Sequence, residues 1–317
     1  MEKITLTGAG GFIGSNLVRF LKEKGYWIRA VDIQFPKERE YNWRHADEII
    51  KADLRDIDEV LAATKGVDKV IWLCSNMGGV FWFHTQDFYP FLDNMTMDIN
   101  ILRACEVNKV KRLLYSSSAC IYPIHLQQDQ GLAPYLSEDM IFPANSDQMY
   151  GWEKLMMTML CKRAPFDARP MIFHTIYGEY QEHEGERMKF PTSIVRKVLQ
   201  SKKEGKPIEI WGNGEQVRSY LYIKDALEKI YRVLIHPENV TPVNIASDQA
   251  VSCLDVAKLV CEIVGVEPNF TFTNAKPSGV LARNADNTLF EKVYGYKNKY
   301  SLRDGFTALV NYMKDKV

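Results

Sequence analysis

Apolar positions along this chain fall into short continuous runs separated by stretches of helical spacing. The first run covers residues 4–7, and Phe12, Ile13, Leu17, Val18, Phe20 and Leu21 then recur as one face of a helix. Residues 27–31 and 48–52 form two more runs, closing on Asp32 and Asp53. A short helix is predicted over 56–64. Residues 69–74, apolar from Val70 to Cys74, and 110–116, apolar at Val110 and from Leu113 to Tyr115, read as strands buried on both faces. Helical periodicity covers 91–108 and 150–163, and a further strand is predicted over 171–176. This alternation predicts an α/β fold, a doubly wound parallel sheet of Rossmann type with right-handed crossovers.

After Tyr177-Gly178 the pattern loosens. Residues 179–189 are polar, contain Gly185 and read as a loop facing substrate. Helices are predicted over 191–202, 225–235, 253–264 and 301–314, with strands near 208–211 and 218–223. The expected organisation is a dinucleotide-binding domain over 1–177, and a smaller mixed α/β lobe, mainly 178–317, that binds substrate. Part of the later chain is expected to return to the first sheet.

Gly8, Gly11 and Gly14 sit between the first strand and the first helix. Glycines in that place allow a tight turn and close approach of backbone to a pyrophosphate, whose charge the helix N-terminus stabilises. Phe12 and Ile13 open the helix and belong to the same predicted cofactor contact. Asp32 can accept hydrogen bonds from an adenosine ribose and would repel a 2′-phosphate. No arginine follows it immediately, so the cofactor is read as NAD rather than NADP. Asp53 is the second acidic residue assigned to the cofactor side.

Composition narrows the class without naming it. Among 317 residues, Lys plus Arg equals Asp plus Glu, so bulk charge points to neither nucleic acid nor an anionic membrane. No apolar run is long enough to span a bilayer. The N-terminus enters the first strand at once and leaves no room for a signal peptide. Six cysteines are scattered with no C-x-x-C pair, which predicts free thiols in a reducing cytoplasm and no zinc site.

Tyr150 and Lys154 stand at i and i+4 of a predicted helix, on one face. A phenol of pKa about 10 is a poor base at neutral pH, and a neighbouring ammonium favours its ionised form. Ser116, Ser117 and Ser118 stand at the carboxyl end of the preceding strand, where ligands bind in such sheets. Ser118 can hydrogen-bond the reacting oxygen, giving a triad that takes a proton from a sugar hydroxyl while NAD takes the hydride. Cys120 lies two residues further on, and a thiol can exchange protons once a nearby charge favours its anion. His174, inside an apolar run, reads as a core histidine.

Five stretches carry a resemblance: residues 76–79, Ser117-Ser118-Ala119-Cys120-Ile121-Tyr122-Pro123, residues 150–154, Gln216-Val217-Arg218-Ser219-Tyr220, and residues 279–287. They cover almost the whole chain, which resembles the extended short-chain dehydrogenase/reductases that act on nucleotide sugars. It is most similar to the branch that epimerises a GDP-hexose at C3 and C5. The resemblance implies that Cys120 and Lys189 exchange those protons, and that Met77, Gly78, Gly79, Thr175, Arg218 and Arg283 bind the substrate. It also implies a homodimer whose helices 91–108 and 150–163 pair across a two-fold axis. Asn76, Thr175 and Leu281 depart from that branch, where Asp, Asn and Arg are usual. A UDP-sugar 4-epimerase or decarboxylase, a 4-keto-sugar reductase and a non-catalytic NAD-binding regulator remain as alternatives.

Overall fold

The computed structural model describes residues 1–79, 82, 85–86, 88–129, 133–274 and 279–317. In chain order, β1 (Lys3–Thr7), α1 (Phe12–Glu23), β2 (Trp27–Asp32), the single turn α2 (Glu40–Trp43), β3 (Glu48–Lys51), α3 (Ile57–Thr64) and β4 (Lys69–Trp72) form the first half of a sheet and its cover. Then come α4 (Phe88–Val107), β5 (Arg112–Ser118), the short β6 (Tyr135–Leu136), α5 (Gln148–Cys161), β7 (Asp167–Phe173) and β8 (Thr175–Tyr177). The remainder is α6 (Phe190–Glu204), β9 (Ile208–Trp211), β10 (Val217–Tyr222), α7 (Ile223–Ile235), β11 (Val243–Ile245), β12 (Ala250–Ser252), α8 (Cys253–Val264), β13 (Phe270–Thr273), β14 (Ala282–Ala285), α9 (Thr288–Tyr294) and α10 (Leu302–Met313).

Seven strands make one parallel sheet in the order β11-β7-β5-β4-β1-β2-β3. Its interior is the apolar runs: Ile4, Leu6, Ile28, Ala30, Val70, Ile71, Leu113 and Leu114 are fully buried. Leu17, Val18 and Leu21 of α1 close on it, each contributing roughly 1.5–3 kcal/mol by leaving water. The strand order reverses between β1 and β4, which opens a crevice at their carboxyl ends, the ligand position of such sheets. A second sheet runs β12-β10-β14-β6, with β8 paired to β10 off that path, and β13 pairs with β9.

The main departure from the sequence reading lies at the predicted strand 171–176. The chain splits there into β7, which stays in the parallel sheet, and β8, which pairs with Tyr220–Tyr222 of the second sheet. His174 marks the step, its Nε2 3.0 Å from Asn244 Oδ1 of β11. β4 stops two residues early, because the Leu73 N–H donates to Thr7 Oγ1 instead of continuing the ladder. β5 runs two residues further than predicted, carrying Ser117 and Ser118 in register with Ile172 and Phe173. The stretch 75–80, with Asn76-Met77-Gly78-Gly79, reads as a loop from its sequence, and Val80 of it lies outside the described residues. No helix among the described residues is long and apolar enough to cross a membrane, and all six cysteines are free.

Candidate active site

At the switch between β1 and β4 the glycine turn is closed by backbone. Gly8 has φ +66°, and the Gly11 N–H donates to its carbonyl at 3.0 Å. A Cβ on Gly14 would sit 2.0 Å from Gly8 O, so α1 meets the turn with no room for a side chain. Gly10, absent from the sequence prediction, is as constrained: its Cβ would lie 2.1 Å from Gln34 O, and its N–H donates to Asp32 Oδ2 at 2.9 Å. Asp32 also accepts from the Gln34 N–H at 3.1 Å, and burial holds its carboxyl above the usual range. A bare backbone turn at a helix N-terminus, with a carboxylate at the end of β2, fits a dinucleotide. Phe12 and Ile13 pack half-buried against the core beside it. Asp53 is turned to Arg55, whose Nη2 lies 2.6 Å away and holds that carboxyl below the usual range.

A cleft of about 1350 Å³ opens beyond the carboxyl end of β5, with Ser118, Cys120 and Tyr150 in its lining. Ser118 closes β5 and its Oγ accepts from the Cys120 N–H at 3.2 Å, starting the turn Ala119–Ile121. α5 docks against that turn because Gly151 has no side chain; a Cβ there would be 2.4 Å from Cys120 O. Tyr150 is buried and hydrogen-bonded by Ser118. Burial pushes its phenol well above the ordinary value, Lys154 and Ser118 pull it down, and Glu153 and Cys120 push it up.

Lys154 sits deeper than a simple partner of Tyr150. Its Nζ is 5.6 Å from the Tyr150 ring centroid, 2.8 Å from Glu153 Oε1, 3.7 Å from Asp98 Oδ2, and donates to Tyr115 Oη at 2.9 Å. Burial works against its charge, and Asp98 and Glu153 more than restore it, so its pKa is raised. Asp98 accepts from Trp72 Nε1 at 2.8 Å and Tyr115 Oη at 2.6 Å, and Asn94 donates to Glu153 Oε2 at 3.0 Å. None of Asn94, Asp98 and Glu153 was picked out from sequence. Their signal was polar residues on the packed faces of helices.

Cys120, Lys189, Arg218 and Arg283 all line the cleft, as do Met77, Gly78, Gly79 and Thr175. Arg283 donates through Nη1 to Cys120 Sγ at 3.1 Å, through Nη2 to Asp147 at 2.9 Å, and through Nε to Gln127 Oε1 at 2.5 Å. Lys189 stands at the N-terminus of α6, and burial lowers its ammonium pKa, with Cys120 partly opposing. Arg218 spends Nη1 on Val217 O at 2.8 Å and Nη2 on Val280 O at 2.6 Å. Asn76 accepts from Arg187 Nη2 at 3.0 Å, which ties the 75–79 loop to the polar segment before Lys189. His174 also lines the cleft, its imidazole held neutral with a pKa of about 3, first by burial.

A glycine turn suited to a dinucleotide, with Ser118 and Tyr150 lining a cleft and Lys154 buried behind the tyrosine, is the arrangement of a short-chain dehydrogenase/reductase type of protein. The chain belongs to the NAD-dependent epimerase/dehydratase family, whose profile matches residues 4–246. It is similar to GDP-mannose 3,5-epimerase 1 of Oryza sativa subsp. japonica, 35% identical over 319 residues, 99% of this chain and 82% of that protein. GDP-mannose 3,5-epimerase of Arabidopsis thaliana is 33% identical over 320 residues, 99% of this chain and 83% of that protein. The fold is shared with UDP-glucose 4-epimerase of Thermotoga maritima, at TM-score 0.87, 21% identity and 99% coverage of both chains.

Proposed function

We propose that the protein is a nucleotide-sugar epimerase that inverts C3 and C5 of a GDP-hexose through a transient 4-keto sugar. The observation that carries this reading is that Cys120 and Lys189 line the cleft that also takes Ser118 and Tyr150. The printed names of the relatives at 35% and 33% identity support GDP as the nucleotide. Bound NAD supplies a hydride acceptor for C4 that is restored when the hydride returns, so the net reaction is isomerisation. Gly8, Gly11, Gly14 and Asp32 are the residues that would hold it, with Phe12 and Ile13 packed at the start of α1 and Asp53, its carboxylate paired with Arg55, assigned to the same side from sequence.

Tyr150 takes the C4 hydroxyl proton, Ser118 holds the oxygen, and Lys154 supplies the positive charge behind the phenol. The resulting C4 carbonyl acidifies the neighbouring C–H bonds, because the carbanion delocalises into it. Cys120 takes the proton from one face, with the Arg283 guanidinium on its sulfur. Lys189 returns one on the other face, and its lowered proton affinity favours that donation. Arg218, with Met77, Gly78, Gly79 and Thr175, lines the rest of the substrate path.

Deuterium wash-in on a panel of GDP- and UDP-sugars tests this. Label should enter C3 and C5 of a GDP-hexose, and Tyr150→Phe should abolish both exchange and NADH formation. Cys120→Ser should keep NADH formation while exchange falls by about two orders of magnitude, the usual share of a positioned general base. Lys189→Met should allow exchange without inversion. Wild-type exchange in Cys120→Ser, or inversion at C4 of a UDP-sugar with no label at C3 or C5, would replace this reading with a 4-epimerase.

A further inference from the structure

Glu153 is fully buried one residue before Lys154 and takes no part in the proton transfers above. Its two oxygens are held by Lys154 at 2.8 Å and Asn94 at 3.0 Å. A second buried carboxylate, Asp98 of α4, faces the same ammonium at 3.7 Å. One ammonium therefore stands between two carboxylates out of water, an arrangement that persists only when every partner is held. The other titratable groups around it are Tyr150 on the same helix, Tyr115 of β5, Cys74 after β4, Cys161 at the end of α5, and Cys120 on the turn beyond Ser118.

We propose that Glu153 is a positioning residue for the Tyr150 base: it fixes Lys154 in the core and cancels part of its charge at the phenol. Tyr150 then holds its proton more tightly than a tyrosine–lysine pair alone would, which suits a group that must return the proton when C4 is reduced again. This rests on Tyr150 acting on the C4 hydroxyl, as argued above. Burial raises the Glu153 carboxyl to about 7, so the cancellation varies with pH near neutrality. Loss of that negative charge lets the Lys154 charge act fully and moves Tyr150 ionisation to lower pH.

Two readouts test it on the NAD-loaded protein: NADH formation against pH with a GDP-hexose, and ultraviolet titration of tyrosinate as the difference from Tyr150→Phe. Glu153→Gln should move the acid limb and the tyrosinate transition to lower pH by roughly one unit, the low end for a charge in contact. Glu153→Asp should return both toward the wild-type position. A limb that stays in place, with activity lowered equally at every pH, overturns the proposal and leaves Glu153 a packing residue. Absence of NADH in the wild type would instead refute the oxidation reading, and the tyrosinate titration would still decide the role of Glu153. Should Glu153→Gln fail to fold, Asp98→Asn removes the other carboxylate and keeps one acceptor oxygen, for Trp72 Nε1, while its amide replaces the oxygen that faces Tyr115 Oη; the same direction is expected, and an unmoved transition overturns the idea.

Discussion

Acidification should destabilise the fold through one imidazole, and the size of that effect follows from its surroundings. His174 sits at the step between β7 and β8, with Nε2 on Asn244. Burial lowers its pKa from 6.5 to about 3, repulsion from Arg283 and Lys229 adds to this, and the Asn244 bond opposes it. Between these two values the unfolded chain binds a proton that the folded one refuses, so this group's stability is complete above pH 6.5 and is lost as pH falls. At about pH 5 the loss spans roughly 1.5 pH units at about 1.4 kcal/mol each, or about 2 kcal/mol.

His174→Gln isolates the effect, since glutamine can still meet Asn244 and does not titrate. The total slope of either protein will not serve. Glu138 and Glu153, both raised to about 7 by burial, hold protons in the folded state and work in the opposite direction between about 4.5 and 7. Urea unfolding of both proteins at about pH 7.5 and pH 5 gives the difference of differences. The wild type should lose about 2 kcal/mol relative to the variant on going to the lower pH. An equal gap at both values would mean that the imidazole titrates normally in the folded protein and that the cleft wall there is wet.

How much of this was legible in the sequence depends on the range over which each signal acts. The parallel sheet could be read because each run buried on both faces is its own evidence, as in residues 110–116. The glycine turn, Asp32, and the approach of Cys120, Tyr150 and Lys189 to one cleft were anticipated because they lie in local motifs or in a resemblance spanning the chain. β11, β12 and β14 have three or four residues each and carry no usable period, so their pairing was out of reach. The Asp98–Lys154–Glu153 cluster was missed for another reason. Periodicity counts apolar positions, and a charged residue on a packed face reads as noise until a partner from another element meets it. Asp98 and Lys154 lie on different helices and meet only once α4 and α5 are packed. Gly10 was overlooked because it needs no unusual φ; only the Gln34 carbonyl, brought in by the end of β2, forbids a side chain there.

Two further outcomes are expected. The protein should bind NAD(H) in clear preference to NADP(H), and Asp32→Ala should weaken that preference in calorimetric titration; equal affinity of the wild type for both would contradict the role given to the carboxylate at the end of β2. The protein should also be a homodimer, because Leu92 and Ile99 on α4 and Trp152, Met156 and Leu160 on α5 leave apolar surface in water on two helices that pack side by side. Met156→Lys combined with Leu160→Glu should yield folded monomer in sedimentation at micromolar concentration, and a wild type that sediments as monomer would show that this face does not pair with a second copy.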